Sequence, residues 1–506
     1  MTTAHFDDLV IGAGMAGLSV AALLARDGRR VGVLEAHDTP GGYAHTFHMG
    51  AYAFCAQVHY VFGCGEGETI HGLLEALGLT ETVRWVRLDP EGFDHVVVAG
   101  ERFRIANGLA KTRDRLTRRF PEAARPLRRY FDVIAAIGDE LSTLDEVPSR
   151  PSLKLVPALF EHRTLLRYMR STLGELYEEL EMPALLRAIL AGQCGDYLLP
   201  PRDVSLLLHA ALVTGYDRGA YYPEKHYAHF VEAIADSIRK SPGCALLLEH
   251  PVRRIDAERG RVTRVTTANG RTFTAERVIS NVDPKRTAEL VAGVFPSTKL
   301  DRERLDYTYS AGTITLYLAL EGLDLRDHGF GSFNVWHYPH ADLDRIYDRQ
   351  RVLNDLSDPW LFLSTPTLHS SAPGLAPPGH QILEVATSCD YEPWAALRAR
   401  DRRAYNREKR RVRERILDVI EDRYVPHLRD HLRVRVTGTP ATNERFCGAP
   451  AGNSYGSALT PANVKFGRGP YRTSLENLWI ANATAGFPSV AGAVGAGRKL
   501  HSMLRG

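Results

Sequence analysis

The residues Gly12-Ala13-Gly14-Met15-Ala16-Gly17 follow the short apolar run Asp8-Leu9-Val10-Ile11 directly and open a helix-forming stretch at 18–25. Each glycine in this spacing has a physical use. Gly12 permits a tight turn out of a strand, Gly14 lets a pyrophosphate approach the backbone, and Gly17 lets the helix pack closely on the sheet. The unpaired N–H groups at the helix start then face the phosphates. A second strand at 31–34 ends on Glu35, 21 residues after Gly14. An acid there can accept hydrogen bonds from ribose hydroxyls, and its charge disfavours a 2′-phosphate. Strand, glycine turn, helix, strand and acid in this order predict a dinucleotide site, formed by the six-residue turn together with Glu35 and Ala36.

The rest of the chain must supply elements to hold this site and a substrate. The segments 93–98 and 102–105 read as a hairpin across Ala99-Gly100. Residues 109–238 are mainly helical, with loops at 148–151 and 199–201. Strands are expected at 245–248, 262–267, 277–280, 313–320, 360–363 and 382–386. One helix is expected over 395–424. A closing strand at 478–481 precedes a Gly-rich helix over 490–504. The expected fold class is α/β: a Rossmann-type domain with an inserted α+β substrate domain of mixed sheet plus helices. The nucleotide part would take 1–85, 245–305 and 435–506, and the substrate part 86–244 and 306–434.

Composition narrows the class. The 506 residues are 44% hydrophobic and 24% charged, with a formal net charge of +3, ordinary for a folded soluble protein. Between Arg398 and Arg415 ten Lys/Arg stand against three Asp/Glu. Tyr405, Val412, Ile416 and Val419 fall on one face of that stretch, so a solvated surface helix is expected, with attraction to anionic lipid headgroups as the alternative. No nucleic-acid-binding fold accompanies the basic patch, so no nucleic-acid partner is expected. None of the six cysteines forms a Cys-x-x-Cys pair, and neither a metal site nor a disulfide framework can be read from them. A cytoplasmic location follows as the expectation, with peripheral contact at a membrane left open. The uncharged run 9–25 is broken by three glycines and too short to span a bilayer comfortably.

Further motifs carry a family resemblance. Gly41-Gly42-Tyr43-Ala44-His45-Thr46-Phe47 comes six residues after Glu35. In many flavoproteins such a Gly-Gly continues the fingerprint past the pyrophosphate. Taken with Tyr222-Pro223, Val278-Ile279-Ser280-Asn281-Val282-Asp283-Pro284 and Gly486-Phe487-Pro488-Ser489-Val490, the chain resembles the phytoene desaturase, carotenoid isomerase and retinol saturase family along nearly its whole length. The resemblance implies non-covalent FAD. It adds Gly41, Gly42, Tyr43, Val252, Asn281, Asn482, Ser489 and Val490 to the expected cofactor contacts, with Val252 at the adenine and the last helix facing the flavin ring. Three departures cluster near the expected flavin face. An Asp-x-Gly pair is replaced within Phe54-Cys55-Ala56-Gln57-Val58-His59-Tyr60, a Gly-Gly by Glu224-Lys225-His226, and a Gly by Ala481-Asn482.

The chemistry implied by the resemblance is hydride transfer at flavin N5 to or from carbon. Desaturation, saturation and isomerisation of an extended apolar or polyene substrate all share such a site. His45, His59 and Tyr60 are the acid–base candidates, since histidine exchanges protons near neutral pH, and His226 is a weaker one. The apolar runs 155–160 and 204–208 are expected at a substrate tunnel or its mouth. A flavin amine oxidase, or a non-catalytic relative that binds prenylated proteins, would share the architecture.

Overall fold

The computed structural model describes residues 3–143, 161–291, 293–464 and 469–505. Its N-terminal half-layer is built on the strand Ala4–Ile11, which is buried along Leu9, Val10 and Ile11. Val31–Leu34 pairs with it on one side and Thr272–Ser280 on the other, both parallel. Ala245–Leu247 and Leu478–Ile480 extend the sheet outward, again parallel. Strands buried on both faces read as short continuous apolar runs, as Val31–Leu34 and the end of Ala4–Ile11 do. The helices Met15–Arg26 and Val490–Arg505 pack against each other. A Cβ at Gly497 would stand 2.6 Å from the Ala16 carbonyl oxygen, so a glycine there permits their close approach. An antiparallel pair, Val252–Glu258 and Arg261–Thr267, joins the sheet at the start of Thr272–Ser280.

The register places the strand ends together. Ile11 pairs with Leu34 and with Ser280, Leu34 with Leu247, and Ser280 with Ile480. Gly12, Glu35, Asn281 and Ala481 therefore leave one common edge of the sheet. This carboxyl edge is where open α/β sheets bind ligands.

A second, seven-stranded sheet runs Leu432–Gly438, Gly312–Glu321, His380–Cys389, Leu361–Ser364, Asn334–Tyr338, Asp94–Val98, Glu101–Ile105. All its neighbours are antiparallel except Asn334–Tyr338 with Asp94–Val98. Helices from Leu109–Arg119 to His226–Arg239 lie in sequence between the first hairpin of the second sheet and the strand Ala245–Leu247 of the first. The fold is thus an α/β Rossmann-type sheet with its helices, joined to a second, mixed sheet and further helices.

Two sequence expectations need correction. The strand Leu432–Gly438 lies astride the expected 434/435 boundary, and its ladder partner is Gly312–Glu321, so its residues belong with the second sheet. The single basic helix expected over 395–424 is two helices, Tyr391–Arg400 and Arg402–Arg423, broken at Asp401. Asp401 has extended backbone, and its carboxylate accepts from the N–H groups of Arg403 and Ala404. A capping carboxylate satisfies N–H groups that the new helix start leaves open. Tyr405, Val412 and Ile416 are buried as the spacing implied, together with Leu417 and Ile420, while Val419 is half-buried.

Candidate flavin and substrate site

The glycine turn is held by the acid expected to bind ribose. One Glu35 carboxylate oxygen accepts from Ala13 N–H at 2.6 Å and the other from His37 N–H at 2.9 Å. Glu35 therefore fixes the turn as well as offering its remaining lone pairs outward. His250 N–H bonds the Glu35 carbonyl at 2.7 Å, which brings the chain leading into Val252 beside the acid. Gly41 lies against Gly14 in a parallel bridge, and Gly41 N–H bonds the Ala13 carbonyl at 2.8 Å. A Cβ at Gly42 would stand 3.3 Å from the Gly14 Cα. Gly12, Gly41 and Gly42 have φ of +94°, +117° and +57°, conformations that glycine adopts without Cβ strain. The helix after Gly14 has no side-chain cap and no acid in its first turn, so its N–H groups are available to an anion. These features fit an adenine dinucleotide.

The carboxyl edge continues the cradle. The Asn281 side chain leans over the turn, so that a Cβ at Gly14 would meet its Nδ2 at 2.6 Å. Asn482 donates from Nδ2 to the Val282 carbonyl at 2.8 Å and accepts from Ala485 N–H at 2.8 Å. It shapes the loop ahead of the last helix. Ser489 has φ +115°, a left-handed conformation unusual for a residue with a Cβ. Its hydroxyl accepts from Gly492 N–H at 2.9 Å. Tyr43 donates to the Asn453 carbonyl and ties the Gly-Gly turn to a distant loop.

Beside Ser489 and Val490 opens a cavity of about 540 Å³. Leu207, Leu208 and Leu212 form one wall, and Trp336, Trp360 and Phe362 of the second sheet form another. The segment Gln57-Val58-His59-Tyr60 runs along it. Gln57 Oε1 accepts from the Thr313 hydroxyl at 2.9 Å, which fastens this segment to the second sheet. The run 155–160, expected at the tunnel, lies outside the described residues.

His59 and Tyr60 line the cavity, and their polar partners differ. His59 Nδ1 is 2.7 Å from Glu384 Oε2. The Tyr60 hydroxyl is 2.9 Å from Asp94 Oδ2 and 3.1 Å from Asp196 Oδ2. Asp94 also accepts from Gln193 Nε2 at 2.7 Å. Burial pushes the Asp94 carboxyl up to about 6. Asp196 is raised by burial and then by the charge of Asp94, and burial raises the Tyr60 phenol.

The other two candidates lie elsewhere. His45, expected as an acid–base group, folds back on the Gly-Gly turn, its Nδ1 2.6 Å from the Gly42 carbonyl. It is buried and does not line the cavity, and burial lowers its affinity for a proton. His226 is buried on Thr46, 3.0 Å from its hydroxyl, and burial lowers it to about 4. Asp94, Asp196 and Glu384 were missed because no motif spacing joins them. The available signal was a lone acid inside an apolar strand, as in Ile382-Leu383-Glu384-Val385-Ala386.

A glycine turn fitted to a pyrophosphate at the carboxyl edge of a Rossmann sheet, with a large cavity beside the last helix, points to a flavin-dependent oxidoreductase. The flavin containing amine oxidoreductase model matches residues 15–443, and the chain belongs to that family. Over 96% of its length it is 26% identical to all-trans-retinol 13,14-reductase of Danio rerio, covering 84% of that protein. It is 24% identical to prolycopene isomerase 1, chloroplastic, of an Oncidium hybrid cultivar, over 89% of this chain and 75% of the relative. Among solved structures, putrescine oxidase bound to putrescine has a TM-score of 0.67 at 17% identity, with each chain fully covered. Cyclohexylamine oxidase of Brevibacterium oxydans has a TM-score of 0.63 at 18% identity, covering 99% of this chain and all of that one. The protein is an FAD-dependent oxidoreductase.

Among the described residues no helix is long and apolar enough to cross a membrane. Nor does any group of three or more His, Cys, Asp or Glu there offer a metal site.

Proposed function

We propose that this enzyme acts on a carbon–carbon bond of an extended, largely apolar, conjugated molecule, by saturation, desaturation or isomerisation. The observation that carries the reading is the cavity. Its walls are leucines and aromatic rings, and one end abuts the start of the last helix at Ser489 and Val490. The activities named for the retinol and prolycopene relatives support it. FAD, when bound, supplies hydride transfer. The glycine turn, Glu35, Ala36, Tyr43, Val252, Asn281 and Asn482 would hold it, with Ser489 and Val490 at its ring. The cavity residues hold the substrate bond in place and exclude water. His59 and Tyr60 are the groups that could exchange a proton. In this reading the first sheet carries the cofactor and the second, with the helices of 109–239, carries the substrate.

One observation favours a second reading. Asp196 lines the cavity beside Tyr60, and an acid there would suit a cationic amine. The deciding experiment incubates holoenzyme with all-trans-retinol, prolycopene and primary amines, aerobically and after flavin reduction. A polyene changed by two hydrogens or by one double-bond geometry supports the proposal. Amine turnover with peroxide release and unchanged polyenes would move the enzyme to the amine oxidases.

The basic face of Arg402–Arg423, together with Val352 and Leu353, exposed to 75% and 69%, supports peripheral contact with anionic lipid. Cosedimentation with anionic but not neutral vesicles tests this.

A further inference from the structure

We propose that His59 is the proton-exchanging group of the cavity and that Glu384 is its positioning residue, fixing the proton on Nδ1 and presenting Nε2 to the substrate. The inference rests on the carbon–carbon reading above and assigns its acid–base role to one side chain.

Glu384 projects from the middle of the long strand His380–Cys389 and is 1% exposed. Its Oε2 lies 2.7 Å from His59 Nδ1, and its Oε1 is buried with no partner among the described residues. A carboxylate buried with so few partners is costly, and the one side-chain hydrogen bond it makes among the described residues is to His59. The two ring nitrogens of histidine are distinct, and a hydrogen bond at one sets the state of the other. An ionised Glu384 can only accept, so it selects the Nδ1–H form. His59 Nε2 has no protein partner among the described residues, and the side chain lines the cavity. The Phe362 ring stands 5.1 Å from the imidazole and limits its rotation.

Tyr60, the neighbouring candidate, is not equivalent. Its single hydroxyl proton lies between two carboxylates, at 2.9 Å and 3.1 Å. Burial also holds the phenol in its neutral form, so it gives up that proton poorly, and a neutral hydroxyl is a weak base.

In the saturating direction reduced FAD, when bound, would supply the hydride with its electron pair to one carbon of the double bond. The His59 imidazolium gives its Nε2 proton to the other carbon. The π bond is consumed, two C–H bonds form, and water returns a proton to His59. In the desaturating direction oxidised FAD, when bound, would take the hydride with its electron pair from one carbon, and neutral Nε2 accepts the proton from the other as the double bond forms.

The test uses ¹⁵N-histidine-labelled holoenzyme, with His59→Gln identifying the His59 resonances among the twenty histidines. Neutral His59 is expected as the Nδ1–H tautomer in the wild type and in Glu384→Gln, whose amide oxygen still accepts. Glu384→Leu is expected to move it to the Nε2–H tautomer. If Glu384→Leu does not fold, the wild type and Glu384→Gln carry the test. With whichever polyene is turned over, His59→Gln should lower kcat about 100-fold or more, Glu384→Leu at least tenfold, and Glu384→Gln should restore most of that loss. An Nε2–H tautomer in the wild type, or full turnover by His59→Gln, overturns the inference. The expected tautomers without turnover of any polyene leave the Glu384–His59 arrangement standing and remove the carbon–carbon reading instead.

Discussion

The Tyr60 hydroxyl lies 2.9 Å from Asp94 Oδ2, and that contact sits between a buried carboxylate and a half-buried one, Asp196, that cannot both be charged cheaply. The Asp94 carboxyl is raised from 3.8 to about 6 by burial. Between those values the folded state holds a proton that the unfolded chain has released. Stability is therefore lost as pH rises through this window, the reverse of the usual carboxylate behaviour. Asp196 is shifted the same way. Asp196→Asn keeps an oxygen acceptor for Tyr60 and removes one charge. Its melting temperature should match or exceed the wild type, by a margin that grows from pH 5 to pH 8. Thermal unfolding at the two pH values checks this, and equal destabilisation at both would contradict it.

The glycine turn makes a prediction that separates folding from binding. A Cβ at Gly17 would stand 2.3 Å from the Gly12 carbonyl oxygen, which is backbone, whereas at Gly14 the nearest atom is the Asn281 amide at 2.6 Å. Gly17→Ala should therefore lower the melting temperature of the apoprotein. Gly14→Val should leave a folded protein that binds no FAD, because its side chain occupies the pyrophosphate path. Flavin absorbance after gel filtration, together with apoprotein melting curves, distinguishes the two. Wild-type FAD affinity in Gly14→Val would remove the fingerprint assignment.

Glu35→Ala should act more mildly. It removes ribose hydrogen bonds at roughly 1–3 kcal/mol, about 5–150-fold in affinity. Because Glu35 also accepts from Ala13 N–H and His37 N–H, the turn should loosen as well. Glu35→Gln, which keeps one acceptor, should recover part of the loss in a flavin-fluorescence titration.

FAD should be released entirely by acid precipitation. His45 is bonded to Gly42, and burial raises the thiols of Cys55 and Cys447, so these groups near the turn are poor nucleophiles toward a flavin ring. Yellow colour retained in the denatured pellet would show a covalent link.

The nucleotide half was legible in the sequence because its chemistry is local. Gly12 to Gly17 and Glu35 act within one strand–helix–strand unit, so spacing alone places them. The cavity was legible only in fragments. Leu207 and Leu208 line it, but so do Trp336 and Trp360, which no periodicity joins to them. The His59–Glu384 pair spans 325 positions, and only the tertiary fold brings the irregular segment at His59 against the strand that carries Glu384. The break at Asp401 was hidden because the basic periodicity continues across a residue whose own side chain starts a new helix. His45 looked reactive by type and proximity, yet the turn it helps to close is what buries it.

The last prediction concerns the length of the substrate. Ala211 lies on the helix Leu206–Arg218, is half-buried, and lines the cavity with Leu207, Leu208 and Leu212. Phenylalanine at this position would send its ring into the cavity rather than into a packed core, so the cost to folding should be under about 1.5 kcal/mol. FAD binding depends on the glycine turn and the carboxyl edge, which Ala211 does not touch, so flavin content should be unchanged. A long conjugated chain that fills the cavity should lose its place, with KM raised at least tenfold, whereas a small primary amine held at Asp196 should be far less affected. Steady-state kinetics of Ala211→Phe with all-trans-retinol, prolycopene and a short amine, beside the flavin spectrum, reads this directly. An unchanged KM for a polyene that the wild type converts would mean that the substrate does not occupy this cavity.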